Sequence, residues 1–482
     1  MSTPQDEEVF KNLSFPLPYR VLFLIGLGIF GWAANLHGLD ILGVDAVGAM
    51  DLRADAQTSK SVMPVHHANV FNHTKAVVLY RAAYRLCWSY AAYIFTSWIV
   101  FRLITHGDRS LVDQYGFIPG VTALAAVYLI FCPHDILFKA ERDKFTAAIK
   151  RCLFPGTGPI YFSDVILADI ATSFAKVFGD IWQSLWMVKP GNSILKPPVH
   201  DNWLRWVMPT MMSIPFLIRF RQCMVEYTSP ANESRKPLYN ALKYATSFPV
   251  IFLSAAQRLV VADLVKERGN GVVGEPWHGE HPLFRMWLMA GIVNSLYSFW
   301  WDVTNDWGMD LFRFGPSQNH DRLPPKPLIL ARLHSGSSTP LLDHRDSLAS
   351  PPAEHQQLGY IPTKHNHRQS CHGLRAVLHY PRAIYPVLIF LNLLLRMTWS
   401  VKLSTHVQSP RDGSFAFFWL EIAELVRRWL WVFLRVEWEV VKMGDIPPPR
   451  TVLFQAEDRS DDGDFEMLPT SPDIISKKSE YD

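Results

Sequence analysis

Apolar residues along this chain gather into runs of about 20, the length a helix needs to cross the hydrocarbon core of a bilayer. Such runs begin near Tyr19, Tyr84, Phe117, Tyr161, Trp203, Ala241, Phe284, Tyr380 and Phe415. The pattern therefore predicts an all-α fold, a polytopic transmembrane helix bundle of about nine or ten spans. Several runs contain Arg, Lys, Asp or Pro, so a hydropathy window is expected to miss one or two of them. The first, "VLFLIGLGIFGWAANL" from Val21, has no small-residue cleavage pattern and continues as "HGLDILGV". It reads as an uncleaved signal-anchor that stays in the mature protein.

Polar segments between the runs give an orientation, because cytoplasmic loops are enriched in Lys and Arg near span ends. The connection after the third run holds Lys139, Arg142, Lys144, Lys150 and Arg151, the strongest bias in the chain, and is placed in the cytosol. Counting along the runs puts "VEYTSPANESRKPLYN", the segment from Arg313 to His379 and the C-terminal tail on the same side. The short N-terminus and "VKERGNGVVGEPWHGEHP" fall on the luminal side. Residues 316–373, rich in Pro, Ser, His and Gly with no sustained apolar period, read as a disordered insertion. Residues 443–482, with "PPP" and "EDRSDDGDFE", read as a disordered acidic tail.

Composition supports the membrane reading and narrows the chemistry. Of the 482 residues 49% are hydrophobic and 13% aromatic, including 17 Trp, while only 19% are charged. A net charge of +3 with dispersed basic residues gives no nucleic-acid footprint, so no nucleic-acid partner is expected. The five cysteines are isolated, without C-x-x-C spacing, which argues against a disulfide framework or a zinc site. The two histidines of "EPWHGEHP" sit three apart on a Pro-flanked loop and read as solvated. No metal and no cofactor is expected.

The informative residues are the charges inside the apolar runs: Asp169, Arg219, Lys243, Asp302, Asp306, Arg396, Glu424, Arg427 and Arg428. Each costs roughly 2.5 to 3.5 kcal/mol at a helix centre, so nine facing lipid would cost about 25 kcal/mol. They must face a shared interior, a wet cavity or the interface. Asp302 and Asp306 stand at i and i+4, on one helix face. Glu424 and Arg428 share that spacing and are expected to pair, leaving Arg427 about a hundred degrees away for another partner. Arg219 and Lys243 lie near span ends, where snorkelling to the headgroups competes with a buried role. Five cations against four acids make a lining that is polar and marginally positive, which suits an anion. An intramembrane enzyme is the less favoured reading. The D-x-x-x-D stands without D-G-x-x-A-R, G-x-G-D or H-E-x-x-H, and the surrounding cations oppose a metal.

The ordered set "FSDVILADIATS", "IRFRQCMVEY", "NALKY", "SLYSFWWDVTNDWG", "LLLRMTW" and "AELVRRWLWVFLRVEWE" resembles the EXS domain of phosphate exporters. That group includes the plant phosphate exporters, the vertebrate retrovirus-receptor exporter and the yeast ER-retention-defective (Erd-type) Golgi protein. The better-known exporters carry an N-terminal SPX domain. Here residues 1–18 form only a short polar segment, which is similar to the SPX-less Erd-type branch. The resemblance divides the chain into N-terminal transmembrane helices (19–160), a first part of the EXS core (161–315), the insertion, and the last two core helices (374–442).

By that resemblance, Arg219, Lys243, Tyr244, Arg396, Arg427 and Arg428 line a phosphate path. Asp169, Asp302, Asp306 and Glu424 are their acidic partners, and Trp399 shapes a constriction. Where the exporters have Asn in the motif resembling "ADIATS", this chain has Thr172, a hydroxyl without an amide. The Arg-rich continuation after "RFxQC" is replaced by "MVEYTS", which implies weaker anion recruitment there. The function implied is a Golgi membrane transporter moving inorganic phosphate from lumen to cytosol. A rival from another class is a sorting protein that binds Golgi glycosyltransferases or their adaptor. A homodimer is compatible with either.

Overall fold

The computed structural model describes residues 12–50, 65–135, 138–154, 160–195, 202–230, 232–268, 282–312, 373–375, 377–397 and 415–445; the side chains of 65–75, 202, 261–262, 264–268, 415–416 and 444–445 are not among them. The insertion, the acidic tail, the "EPWHGEHP" histidines and Trp399 lie outside the described residues.

Those residues are helical, with no strand among them. Chain order runs α1 (Leu17–Ile41), α2 (Val65–Thr105), α3 (Phe117–Phe131), α4 (Lys139–Leu153), α5 (Phe162–Ser173), α6 (Ala175–Val188), α7 (Val207–Thr228), α8 (Lys236–Ala245), α9 (Ser247–Arg268), α10 (Pro282–Trp301), α11 (Ile384–Arg396) and α12 (Phe415–Asp445). All nine predicted runs fall on helices. Three described stretches, Leu17–Ile41, Ala76–Thr105 and Arg109–Phe131, are long and apolar enough to cross a membrane by length and composition alone. Of the rest, α5, α6, α8 and α11 are too short as single helices, and the others carry charged or polar residues that lower their hydropathy.

Two of the predicted runs are not single helices. The run from Tyr161 breaks at Phe174 into α5 and α6, and the run around Ala241 breaks at Thr246 into α8 and α9. A third irregularity closes α10, where Asp302–Asp306 winds as a π-turn. Such wide turns are frequent at functional sites. All three breaks bring polar residues to their ends: Asp169, Thr172 and Ser173; Lys243 and Tyr244; Asp302 and Asp306. Interrupted helices inside a membrane need partners for the freed backbone groups, which a protein interior or a wet cavity supplies.

Helix α4 is not a span. It is amphipathic, and its Arg142 is buried and donates to the carbonyls of Leu129, Cys132 and His134 at the end of α3. That contact satisfies orphan carbonyls at a helix C-terminus.

Burial follows the inside-out logic of a membrane protein. Large apolar side chains point outward at helical spacing, as at Phe117, Val121, Leu124 and Tyr128 on α3, or Met286, Met289, Val293, Leu296 and Trp300 on α10. The main core cluster joins α1, α5, the π-turn, α11 and α12 through Leu36, Leu39, Ile166, Val303, Trp307, Tyr385 and Trp431. Helix α12 supplies Trp431, Val432, Leu434 and Val436 to that cluster and is the element around which the buried charges collect.

Candidate functional site

The nine intramembrane charges predicted to seek an interior meet in one network. Asp302 is at its centre and is fully buried. Lys243 of α8 donates to Asp302 Oδ1 and to Asp306 Oδ2, both at 2.9 Å. Arg396 of α11 donates to Asp302 Oδ2, Asn392 adds its amide at 3.3 Å, and Arg427 of α12 stands 3.8 Å away. The π-turn aims both carboxylates at one ammonium, and the Trp301 indole N–H steadies Asp306 at 3.2 Å.

A second group lies beside it, because Lys243 and Tyr244 are neighbours in the chain. Tyr244 donates its hydroxyl to Asp169 Oδ1 at 2.5 Å, and Arg219 Nε donates to the same oxygen at 2.8 Å. The Arg219 guanidinium also reaches Gln222 Oε1 at 2.6 Å and lies 5.0 Å over the Tyr244 ring. Arg219 and Lys243 are 3% and 5% exposed, so neither snorkels.

The third group sits where α5 ends against α12. Arg427 donates through Nε to Glu424 Oε2 at 2.9 Å and through Nη2 to Oε1, while its Nη1 reaches Asn392 Oδ1 at 3.2 Å. Glu424 therefore pairs with Arg427 at i+3. The expected Glu424–Arg428 pair does not form. Arg428 turns toward α5 instead, donating from Nε to Ser173 Oγ at 3.1 Å and from Nη2 to Thr172 Oγ1 at 3.0 Å. Its guanidinium packs 4.6 Å over the Trp431 ring. Arg428 is 6% exposed, makes no ion pair among the described residues, and leaves Nη1 without a partner. A buried cation held by two hydroxyls and a ring face retains most of its demand for an anion.

Between α11 and α12 runs a cleft lined by Trp307, Leu388, Asn392, Arg427, Leu430 and Trp431. It is closed to the point of leaving no room for a water molecule.

Several members of this site are not ionisable and escape a search for charges. Asn392 bridges Asp302 and Arg427, and its signal is its place in "IFLNLLLR", four residues before Arg396 on the same helix face. Ser173 joins Arg428 to Glu424, donating to Glu424 Oε1 at 3.1 Å. Thr172, the departure from the exporter motif, keeps a contact through its hydroxyl. Gln222, three residues after Arg219, completes the second group.

The described residues thus define a helical membrane protein whose interrupted helices gather arginines and a lysine around buried carboxylates, with one guanidinium, that of Arg428, left without an ion pair among them. More particularly, the chain belongs to the EXS family, which it matches over residues 15–441. It is 26% identical over 451 residues to Protein ERD1 homolog 1 of Schizosaccharomyces pombe, covering 92% of this chain and 95% of that one. To Protein ERD1 of Kluyveromyces lactis it is 27% identical over 285 residues, 58% of each. To Phosphate transporter PHO1 homolog 4 of Arabidopsis thaliana it is 21% identical over 340 residues, 68% of this chain and 34% of that one. It is a membrane protein of the ERD1/EXS type.

Proposed function

We propose that this protein is an inorganic phosphate transporter of the Golgi membrane, moving phosphate from lumen to cytosol. It would recycle the by-product of glycosylation and so support glycosylation and the retention of luminal ER and Golgi proteins. The observation that carries the reading is Arg428: a buried guanidinium on hydroxyl partners, with a free donor nitrogen and no ion pair among the described residues. Phosphate near neutral pH bears one to two negative charges, and a guanidinium offers its oxygens a permanently charged donor fork. A relative carrying the name phosphate transporter supports the choice of anion.

The neighbouring pairs have the complementary task. A transport site must bind strongly enough to admit the ion and weakly enough to release it. Asp169, Asp302, Asp306 and Glu424 offset Arg219, Lys243, Arg396 and Arg427, so the local excess is near one positive charge. Radiolabelled phosphate uptake into proteoliposomes containing the purified protein tests the reading. Wild type should accumulate phosphate, and Arg428→Ala should lose uptake by at least tenfold. An Arg428→Ala protein that is folded and transports normally would remove the assignment.

A further inference from the structure

Two tryptophans of the cleft have buried indole N–H groups that donate to nothing among the described residues. Trp307 and Trp431 are each 1% exposed, and Nε1 of each lacks a partner. An indole nitrogen is a donor only. Burying it unpaired costs free energy that any available acceptor would recover. The nearby side-chain acceptors face other donors: Asn392 Oδ1 accepts from Arg427, and Asp302 from Lys243, Arg396 and the Asn392 amide. Leu388 and Leu430 supply apolar wall and no acceptor side chain. No acceptor among the described residues meets these two N–H groups, and what sets them apart from other unpartnered indoles is that they line one cleft with the guanidinium of Arg427, which favours an anionic acceptor.

We propose that this cleft is an oxyanion subsite in which the indole N–H groups of Trp307 and Trp431 donate to oxygens of the transported phosphate beside Arg427. The subsite rests on the phosphate-transport reading and deepens it. Trp431 links it to Arg428, whose guanidinium lies 4.6 Å over the ring. The cleft has α11 residues on one side and α12 residues on the other, and it is closed in this state. Occupancy requires these two helices to part, which makes the subsite a station reached during transport.

The test is the phosphate concentration dependence of uptake into proteoliposomes for Trp307→Phe, Trp431→Phe and the double variant. Phenylalanine keeps an aromatic ring and removes the N–H. Trp182→Phe and Trp429→Phe are the controls, because their indole nitrogens are also buried and unpartnered but do not line the cleft. Losing one hydrogen bond to a charged oxygen should raise KM about tenfold in each cleft variant. The controls should stay within twofold of wild type. Cleft variants with the wild-type KM, or controls shifted equally, overturn the subsite and leave transport standing. If wild type moves no phosphate, the transport reading fails. Equilibrium binding of labelled inorganic phosphate to the purified proteins then decides the subsite: binding weakened only by the cleft variants supports it, and absent or unaltered binding overturns it.

Discussion

At the scale of single residues, Asp302 is the joint of the network. It is fully buried and compensates Lys243 and Arg396 directly and Arg427 at longer range. Removing one partner of a buried ion pair strands the other charge and costs about 3 to 5 kcal/mol. Asp302→Ala should therefore lower the thermal unfolding midpoint, read by size-exclusion after heating in detergent, well beyond the effect of Asp302→Asn, which keeps hydrogen-bonding atoms in place. Equal midpoints for the two variants would show that the carboxylate charge, lost in both, and not the hydrogen-bonding atoms that Asn keeps, is what holds Lys243 and Arg396. The residues that mattered here were legible in the sequence, since ionisable groups inside apolar runs are too costly to be incidental. Their pairing was not legible. Glu424 has Arg427 at i+3 and Arg428 at i+4, and both can reach it along the helix. The choice is made by Ser173 and Thr172, more than 250 positions earlier in the chain, whose hydroxyls draw Arg428 away. Helical spacing contains no trace of them.

At the scale of elements, the informative features are breaks rather than helices. Apolar runs announced the spans, but the break at Phe174 and the π-turn at Asp302–Asp306 have no Gly or Pro at their centres to mark them. The break at Thr246 does carry a mark, since Pro249 in the first turn of α9 has no N–H to give and its ring would clash with the Ala245 carbonyl in a continuous helix. The turn after the π segment does have a sequence mark. Gly308 sits at φ +64°, and a Cβ there would fall 2.4 Å from Cε2 of the Trp438 indole. A left-handed conformation alone costs an alanine about 1 to 2 kcal/mol. The Trp438 ring cannot yield freely, since Arg375 lies 5.4 Å over it and ion-pairs with the buried Glu437, while Arg375 also donates to the Trp307 carbonyl at 2.8 Å. Gly308→Ala should thus destabilise the protein by more than the backbone cost and displace Trp307, a wall of the cleft. Thermal size-exclusion together with phosphate KM checks both effects. A variant with unchanged midpoint and unchanged KM would show that the turn is not coupled to the cleft.

At the scale of the whole molecule, the open question with the largest consequence is which way round the bundle sits. An odd number of crossings puts the two termini on opposite faces, and the sign rests on the basic residues between α3 and α5. Arg142 is a buried cap on α3, Arg151 ion-pairs with Asp164, and Lys139 pairs with Asp135, which leaves Lys144 and Lys150 as the exposed unpaired bias. The pairing leaves the count unchanged, because the rule counts cations near the span ends and discounts acids. With that connection cytosolic, the segment 313–372 and the loop containing Asn232 are cytosolic as well, and the segment 269–281 is luminal. Asn232-Glu233-Ser234 is itself a glycosylation acceptor triplet, so its side of the membrane has a direct readout. Asn232 should carry no glycan. An Asn-x-Thr triplet introduced into 313–372 should stay bare too, whereas the same triplet in 269–281 should give an endoglycosidase-sensitive mobility shift. A glycan in 313–372 and none in 269–281 would invert the bundle. The proposed luminal-to-cytosolic route would then enter the network from the opposite end.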